Sequence, residues 1–354
     1  MQNHMQDKSI GLFGKSCGQG YIPLIVAELS GNHAGELENA LRMIDAAADA
    51  GVDAIKIQTY RPDTITLDHD SPEFLIDSGL WQGRTLYDLY QEAHTPWEWH
   101  EALFKRAHER GVPLFSSPFD STAVDLLESL GCPAYKIASF ELTDIDLIRR
   151  VSATGKPVII STGMATLEEI DEAVETIRQF PNTPYVILHC TSAYPTPVAE
   201  ANLNTVPMLM ERYDAPIGLS DHTTGIVAPV AAVALGACFI EKHLTLDRSD
   251  GAVDAAFSLE PGEFKDMADA CRLAWASLGH ARTGPTAAEM AGRAHRRSLY
   301  VTQDLKKDDF FSSDNVRSIR PANGLHPREL PNVLGRRARQ DIKRGTPVCW
   351  EMIK

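Results

Sequence analysis

Polar residues with catalytic chemistry recur at the ends of short apolar runs along this 354-residue chain. In order they are Glu28, Lys56 with Gln58, Ser116 with Ser117, Lys136 with Ser139, Ser161 with Thr162, Thr191 with Ser192, Ser220 with His222, and Glu241 with His243. Lys56 and Lys136 stand inside the otherwise apolar stretches AIKIQ and AYKIAS. An unpaired ammonium there would cost several kcal/mol or lose its proton, so each must meet an anion. The anion is either a core carboxylate in a structural ion pair or a bound ligand. With the hydroxyls of Ser117, Ser139 and Ser161 beside them, the two lysines suit the phosphate and carboxylate of a small acid. A strand lysine can instead act as a Schiff-base nucleophile, which is the competing chemistry.

His222 in GLSDHT and His243 in IEKHLTL close two successive runs. Two imidazoles side by side, next to Glu241 and Asp221, could hold one divalent cation with positions open for water and substrate oxygen. Mn²⁺ or Mg²⁺ suits such a site, with Co²⁺ a further candidate. Either histidine alone would serve equally as a structural hydrogen-bonding residue. Glu28 is followed by the small-residue turn SGNHAG, and paired with His33 it is a candidate acid or base. Its alternative role is to cap the next helix. No G-x-G-x-x-G, Walker A, G-x-S-x-G or H-E-x-x-H pattern is present, so dinucleotide, nucleoside triphosphate, serine-hydrolase and zincin chemistries have no support.

Such residues act together only if the chain gathers the run ends at one place. The runs are LIVAE, AIKIQ, PLFSS, YKIAS, VIIST, VILHCT, IGLSD and FIEKHLT, falling between residues 24 and 245. They are Val/Ile-rich, as strands buried on both faces are, and they alternate with longer amphipathic stretches. Three of those stretches, 36–51, 97–111 and 167–180, carry apolar residues at three- and four-residue spacing. Eight strands is the number that closes a (β/α)8 barrel, whose reactive groups sit at the C-terminal strand ends. The stretch 61–95 is too long for an ordinary strand-to-helix loop and is expected to cover part of the barrel mouth.

A different texture begins near residue 281. ARTGPTAAEMAG reads as a linker over 281–292, and short β-like pieces with turn residues follow to 354. The chain therefore divides into a barrel over 1–280 and a small domain over 293–354. The small domain is rich in cations, including Arg293, His295, Arg296, Arg297, Lys306, Lys307, Arg317 and Arg320. The barrel is acidic, and the whole chain carries a net charge of −14. Its average surface repels a phosphate backbone or an anionic membrane, so neither nucleic acid nor membrane is an expected partner. No apolar stretch has membrane-spanning length, and MQNHMQDKSI lacks the features of a signal peptide, so the chain reads as cytoplasmic. Six scattered cysteines without a C-x-x-C pair indicate buried thiols rather than a zinc knuckle or disulfide framework.

The segments AELSGNHAG, AIKIQTY, FSSPFD, YKIASFE, VIISTGMAT, LHCTSAYPTP, GLSDHT, IEKHLTLDR, RRSLY and IRPANG together resemble the sialic acid synthase family. Its members are enzymes that build nonulosonic acids from phosphoenolpyruvate (PEP). TLYDLYQEAHTPWEWHEALF, SSPFDSTAVDLLE and AFSLEPGEF are similar to the pseudaminic acid branch rather than the N-acetylneuraminate branch. The resemblance implies a (β/α)8 TIM barrel followed by a small antifreeze-like (SAF) domain, swapped across a homodimer so that Arg320 reaches the partner's site. It implies His222 and His243 as metal ligands, and Lys56, Lys136, Ser139, Ser161 and Ser220 as ligands of PEP. Glu28 would be the acid/base carboxylate, while Gln58, Tyr194, Glu241 and Asp254 would touch the sugar or the metal-bound water. Ser192 stands where the N-acetylneuraminate enzymes carry Asn, which removes an amide contact to the sugar. The implied reaction joins PEP to an acylamino-hexose, 2,4-diacetamido-2,4,6-trideoxy-L-altrose in the pseudaminic branch, and expels phosphate by C–O cleavage. N-acetylneuraminate or legionaminate synthesis is the alternative within the family. An intact set of strand-end residues argues against a decayed barrel kept only for assembly.

Overall fold

A computed structural model describes residues 8–354. The first seven residues of MQNHMQDKSI, on which the absence of a signal peptide partly rested, lie outside the described residues. The chain divides into two compact units, 1–279 and 280–354.

The first unit opens with an antiparallel hairpin of β1 (Ile10–Leu12) and β2 (Lys15–Cys17). Its turn residues Phe13 and Gly14 both have positive φ, as a tight two-residue hairpin loop requires. Eight parallel strands then close a barrel: β3 (Leu24–Glu28), β4 (Ala54–Thr59), β5 (Leu114–Pro118), β6 (Tyr135–Ile137), β7 (Val158–Ser161), β8 (Tyr185–Cys190), β9 (Ile217–Asp221) and β10 (Phe239–His243). β10 pairs with β3, completing the ring. All eight expected runs are strands, and their side chains are buried on both faces except at Gln58 and Tyr185. The YKIAS run ends sooner than its apolar pattern suggests, because Ser139 already opens a 3-10 turn, Ser139–Glu141.

The hairpin was not read from sequence, since three-residue strands leave no periodicity to detect. It meets the N-terminal strand ends, where Phe13 packs against Phe115 and Cys17 lies 3.6 Å from Cys238, sulfur to sulfur. Asp53 joins this end of the barrel together. It accepts from Ile25 N at 2.8 Å and from Arg272 at 3.2 Å, and it pairs with Lys15.

Helices Leu37–Asp49, His100–Glu109 and Leu167–Arg178 occupy the three predicted amphipathic stretches. The long insert folds into helices Pro62–Ile65 and Leu86–Ala93 with a 3-10 turn between them. Trp81, at its tip, donates to Val253 O at 3.2 Å and faces the Tyr194 ring, so the insert does cover part of the mouth.

The second unit has its own core of Leu299, Val301, Leu305, Phe311, Val316, Val333, Ala338, Ile342, Val348 and Ile353. Its β11 (Ser298–Val301) and β12 (Val316–Ile319) pair antiparallel. This unit carries 15 basic and 8 acidic residues, against 19 basic and 40 acidic in the barrel unit. All six cysteines are free, five of them buried. No helix among the described residues is long and apolar enough to cross a membrane.

Candidate active site

Strand register does most of the assembly. His243 lies opposite Glu28, and Glu28 opposite Lys56, across three adjacent strands. Ser220 lies opposite Glu241 on the next pair. At the mouth these side chains converge into one buried cluster. Lys56 Nζ is 2.9 Å from Glu28 Oε2 and 2.9 Å from Glu241 Oε1, while Lys136 Nζ donates to Glu241 Oε1 at 3.2 Å. Ser220 donates to the same oxygen at 2.9 Å, and Ser30 N donates to Glu28 Oε1 at 2.9 Å. Both lysines thus meet core carboxylates.

The electrostatics follow from burial. Desolvation is the main pressure on the Lys56 ammonium; Glu241 resists it, Lys136 adds to it, and the group falls to about 7. Burial would raise the Glu241 carboxyl, but the Lys136 and Lys56 ammoniums outweigh it and hold the group far below the carboxylate range. Several polar atoms here are buried with no hydrogen-bond partner: Ser117 Oγ, Ser161 Oγ, Glu241 Oε2 and His243 Nδ1. Buried polar groups are normally paired, and orphaned ones at the C-terminal ends of barrel strands are what a bound polar ligand would satisfy. Ser139 and Ser192 approach the same wall, so close to Gly163 that a Cβ on that glycine would overlap both hydroxyls.

The His222 and His243 rings lie 5.3 Å apart, centroid to centroid. His222 Nδ1 is 3.1 Å from Thr191 O, which leaves Nε2 free. Burial, then His222 and Lys56, keep His243 well below its ordinary value and therefore neutral. Burial opposes the mutual shifts of Cys190 and His222, yet the thiol falls to about 7 and the imidazole rises because each favours the other's charge. Among the described residues no group of three or more His, Cys, Asp or Glu could hold a metal ion. Two neutralisable imidazoles, one with an orphaned buried nitrogen, fit a divalent ion whose remaining positions belong to water and substrate.

Three sequence expectations need correction. Asp221 does not stand beside the histidines, because strand alternation turns it outward onto Lys242. Nor is His33 the partner of Glu28: its ring packs on Trp99 and its Nδ1 accepts from Gly35 N at 3.1 Å, while Glu28 is held by Lys56. Ser116 likewise faces outward, bonding Thr59 at 2.6 Å.

Beside these groups Gln58 donates to Ser30 Oγ at 3.0 Å, and Ser30 donates to Asp254. Asp254 Oδ2 is 3.9 Å from His243 Nδ1, and burial raises its carboxyl. Tyr194 packs against His222 and Phe257, giving this polar strip an aromatic wall. A cavity of about 810 Å³ opens beside Ser192, lined among others by Phe140, Gly163, Met164, Asn204 and Met208. Arg320 belongs to the second unit, where it lines a cleft of about 610 Å³ with His295, Arg296, Arg297 and His326.

Sequence reasoning missed Glu141. Burial raises its carboxyl to about 7, and its Oε2 is buried without a hydrogen-bond partner. The available signal was a carboxylate two residues after Ser139, just past a strand end. Ser30, which links Gln58 to Asp254, was passed over because a lone serine in a turn carries no pattern.

The NeuB family model matches residues 43–283, and the SAF domain model matches 296–354. A pseudaminic acid synthase of Campylobacter jejuni is 48% identical over 321 residues, covering 91% of this chain and 94% of that one. The Helicobacter pylori enzyme of the same name is 42% identical, covering 94% and 98%. The crystal structure of the N-acetylneuraminic acid synthetase of Leptospira borgpetersenii superposes with a TM-score of 0.73 at 34% identity, covering 81% of this chain and 95% of that one. The chain belongs to the NeuB family, the sialic acid synthases, and is an enzyme of that class.

Proposed function

We propose that this chain condenses PEP with 2,4-diacetamido-2,4,6-trideoxy-L-altrose to a nine-carbon 2-keto-3-deoxy acid, releasing phosphate. The observation that carries the reading is the pair of buried ammoniums, Lys56 and Lys136, with the unsatisfied hydroxyls of Ser117 and Ser161 at the ends of neighbouring strands. Similarity to pseudaminic acid synthases supports the choice of sugar. So does the cavity beside Ser192, whose apolar walls at Phe140, Met164 and Met208 suit acetamido and deoxy methyl groups.

PEP enters with its phosphate and carboxylate on Lys56, Lys136, Ser117, Ser139, Ser161 and Ser220, displacing part of the Glu241 contact. Gln58, Ser192, Tyr194 and Asp254 orient the open-chain sugar so that its aldehyde carbon meets C3 of PEP. A divalent ion, Mn²⁺, Mg²⁺ or Co²⁺, on His222 and His243 would supply Lewis-acid polarisation of the aldehyde oxygen. The new C–C bond leaves positive charge at C2, which the Glu241 and Glu28 carboxylates stabilise. Water adds there while Glu28 accepts its proton and returns it to the former aldehyde oxygen, left as an alkoxide by the C–C bond; the C2 hydroxyl then passes its proton to the departing phosphate as the C–O bond breaks and the 2-keto group forms. Positioning and charge supply most of the rate. In a homodimer with exchanged C-terminal domains, Arg320 would add a cation to the partner's site.

Phosphate release from PEP tests this with three acceptors, the altrose derivative, N-acetylmannosamine and the legionaminic precursor, each with Mn²⁺ and with chelator. Turnover with the first alone, abolished by chelator, is the expected result. Turnover with another sugar moves the assignment to the N-acetylneuraminate or legionaminate branch. A second reading has one observation in its favour: an ammonium lowered to about 7, as at Lys56, is what a Schiff-base lysine needs. Borohydride trapping of a carbonyl adduct on Lys56 or Lys136, without metal, would support that reading instead.

A further inference from the structure

The residues directly before the two candidate metal histidines carry opposite charges to one another: Asp221 precedes His222, and Lys242 precedes His243. β9 and β10 are in register with Asp221 opposite Lys242. Successive strand side chains face opposite sides, and Ser220 meets Glu241 inside the barrel. Asp221 and Lys242 therefore meet on its outer side, toward helix Pro261–Leu278, whose Cys271 thiol is raised by burial and, to a lesser extent, by the Asp221 carboxylate. Lys242 is 0% exposed and Asp221 4%.

The pair is fully engaged. Lys242 Nζ donates to Asp221 Oδ2 and, at 2.5 Å, to Thr223 O. Asp221 in turn accepts from Thr223 N at 3.1 Å and from Thr223 Oγ1 at 3.1 Å. One network thus ties β10 to β9 and to the turn just past His222, one residue behind both imidazoles. A buried ion pair is a poor source of stability, because desolvation offsets its attraction and a well-packed apolar pair serves as well. What charges add at this place is fixed geometry between two strand ends.

We propose that Asp221, Lys242 and Thr223 form a positioning clamp that sets the separation of His222 and His243 for one divalent cation. The inference rests on the metal reading above. Outer groups that orient metal ligands typically control affinity by about 10- to 100-fold.

The test is Mn²⁺ binding to the full chain without substrates, followed by the electron paramagnetic resonance signal of free Mn²⁺. Wild type is compared with His222→Ala, the double variant Asp221→Asn/Lys242→Met, and Thr223→Val, with circular dichroism melting for each. The double variant removes both charges together, leaving no lone buried ion. It is expected to keep its fold and lose at least about 10-fold in Mn²⁺ affinity. Thr223→Val is nearly isosteric, carries the test if the double variant fails to fold, and is expected to lose about 3- to 5-fold, the worth of one hydrogen bond. Pulsed resonance should count two nitrogens on Mn²⁺ in wild type and fewer in the double variant, a change that a merely stabilising role would not produce. Mn²⁺ binding lost in His222→Ala but unchanged in both clamp variants overturns the clamp and leaves the metal reading standing. Mn²⁺ binding that survives His222→Ala unchanged overturns both.

Discussion

Lys136→Met gives the sharpest test of the anion-binding core. The ammonium lies 3.2 Å from Glu241 Oε1, and a PEP oxygen at the same distance would feel about 5 kcal/mol of Coulomb attraction at an effective dielectric of about 20. Desolvating both ions removes most of that, leaving the roughly 1.5–3 kcal/mol net of a charged hydrogen bond. Methionine keeps the length of the side chain, and Glu241 keeps Lys56 and Ser220, so no charge is orphaned. The expected result is a KM for PEP raised about 10- to 150-fold with the KM for the sugar little changed. A second readout follows from the same geometry. Lys136 helps hold Lys56 down to about 7, so removing it lets the Lys56 ammonium persist to higher pH. The alkaline fall of kcat/KM for PEP, as Lys56 loses its proton, should therefore move up in the variant. Initial rates of phosphate release across pH 6–9, with near-ultraviolet dichroism as a control for packing, read both. A change in the KM for PEP below about 3-fold, or a fall that moves to lower pH, refutes the assignment.

Three further outcomes are expected together. Gly163→Ala places a methyl against the Ser139 and Ser192 hydroxyls, so kcat/KM for PEP should fall by more than about 10-fold, the worth of one or two displaced hydrogen bonds. Because Lys56 is lowered to about 7 in the fold, the unfolded chain binds more protons between about pH 7 and 10. That group's contribution to stability therefore rises with pH across the window, and a Lys56→Met variant should lose this slope in urea titrations. Arg320→Ala and His222→Ala, each inactive alone, should recover activity when mixed and allowed to exchange subunits, and no recovery in the mixture counts against a shared site.

The barrel was legible because its strands are short, apolar and punctuated by polar ends, and because eight such runs have one common closed solution. The site residues were legible where chemistry conflicts with position: lysines within AIKIQ and AYKIAS must be paired, whatever the partner. The partner's identity was not legible, since Glu241 reaches Lys136 across the barrel, 105 positions away in sequence. Which face a strand-end residue takes was legible only through register. Asp221 and Ser116 face outward for the same reason that His222 and Ser117 face in, and the alternation cannot be phased until the strand ends are known. Glu28 and His33 lie close in sequence and so suggested a dyad, but the turn between them sends the imidazole to Trp99 instead.

An acidic barrel is at first sight a poor host for PEP. The 40 carboxylates of the first unit lie mostly on its surface, where at physiological salt their fields decay over about 8 Å. Lys56 and Lys136 sit instead at the barrel centre, almost inaccessible to water, where screening is weak and a unit charge counts several-fold more. Glu241 reaches them through a single oxygen shared by both lysines and Ser220, and Glu28 adds a second carboxylate on Lys56 alone. A ligand with two anionic groups can take over those contacts and also satisfy Ser117 and Ser161, which Glu241 does not reach. Glu241 thus holds together two ammoniums in the core that would otherwise repel each other. Glu241→Gln should therefore destabilise the ligand-free chain more than the chain saturated with PEP, and equal destabilisation in the two melts would mean that no anion takes its place.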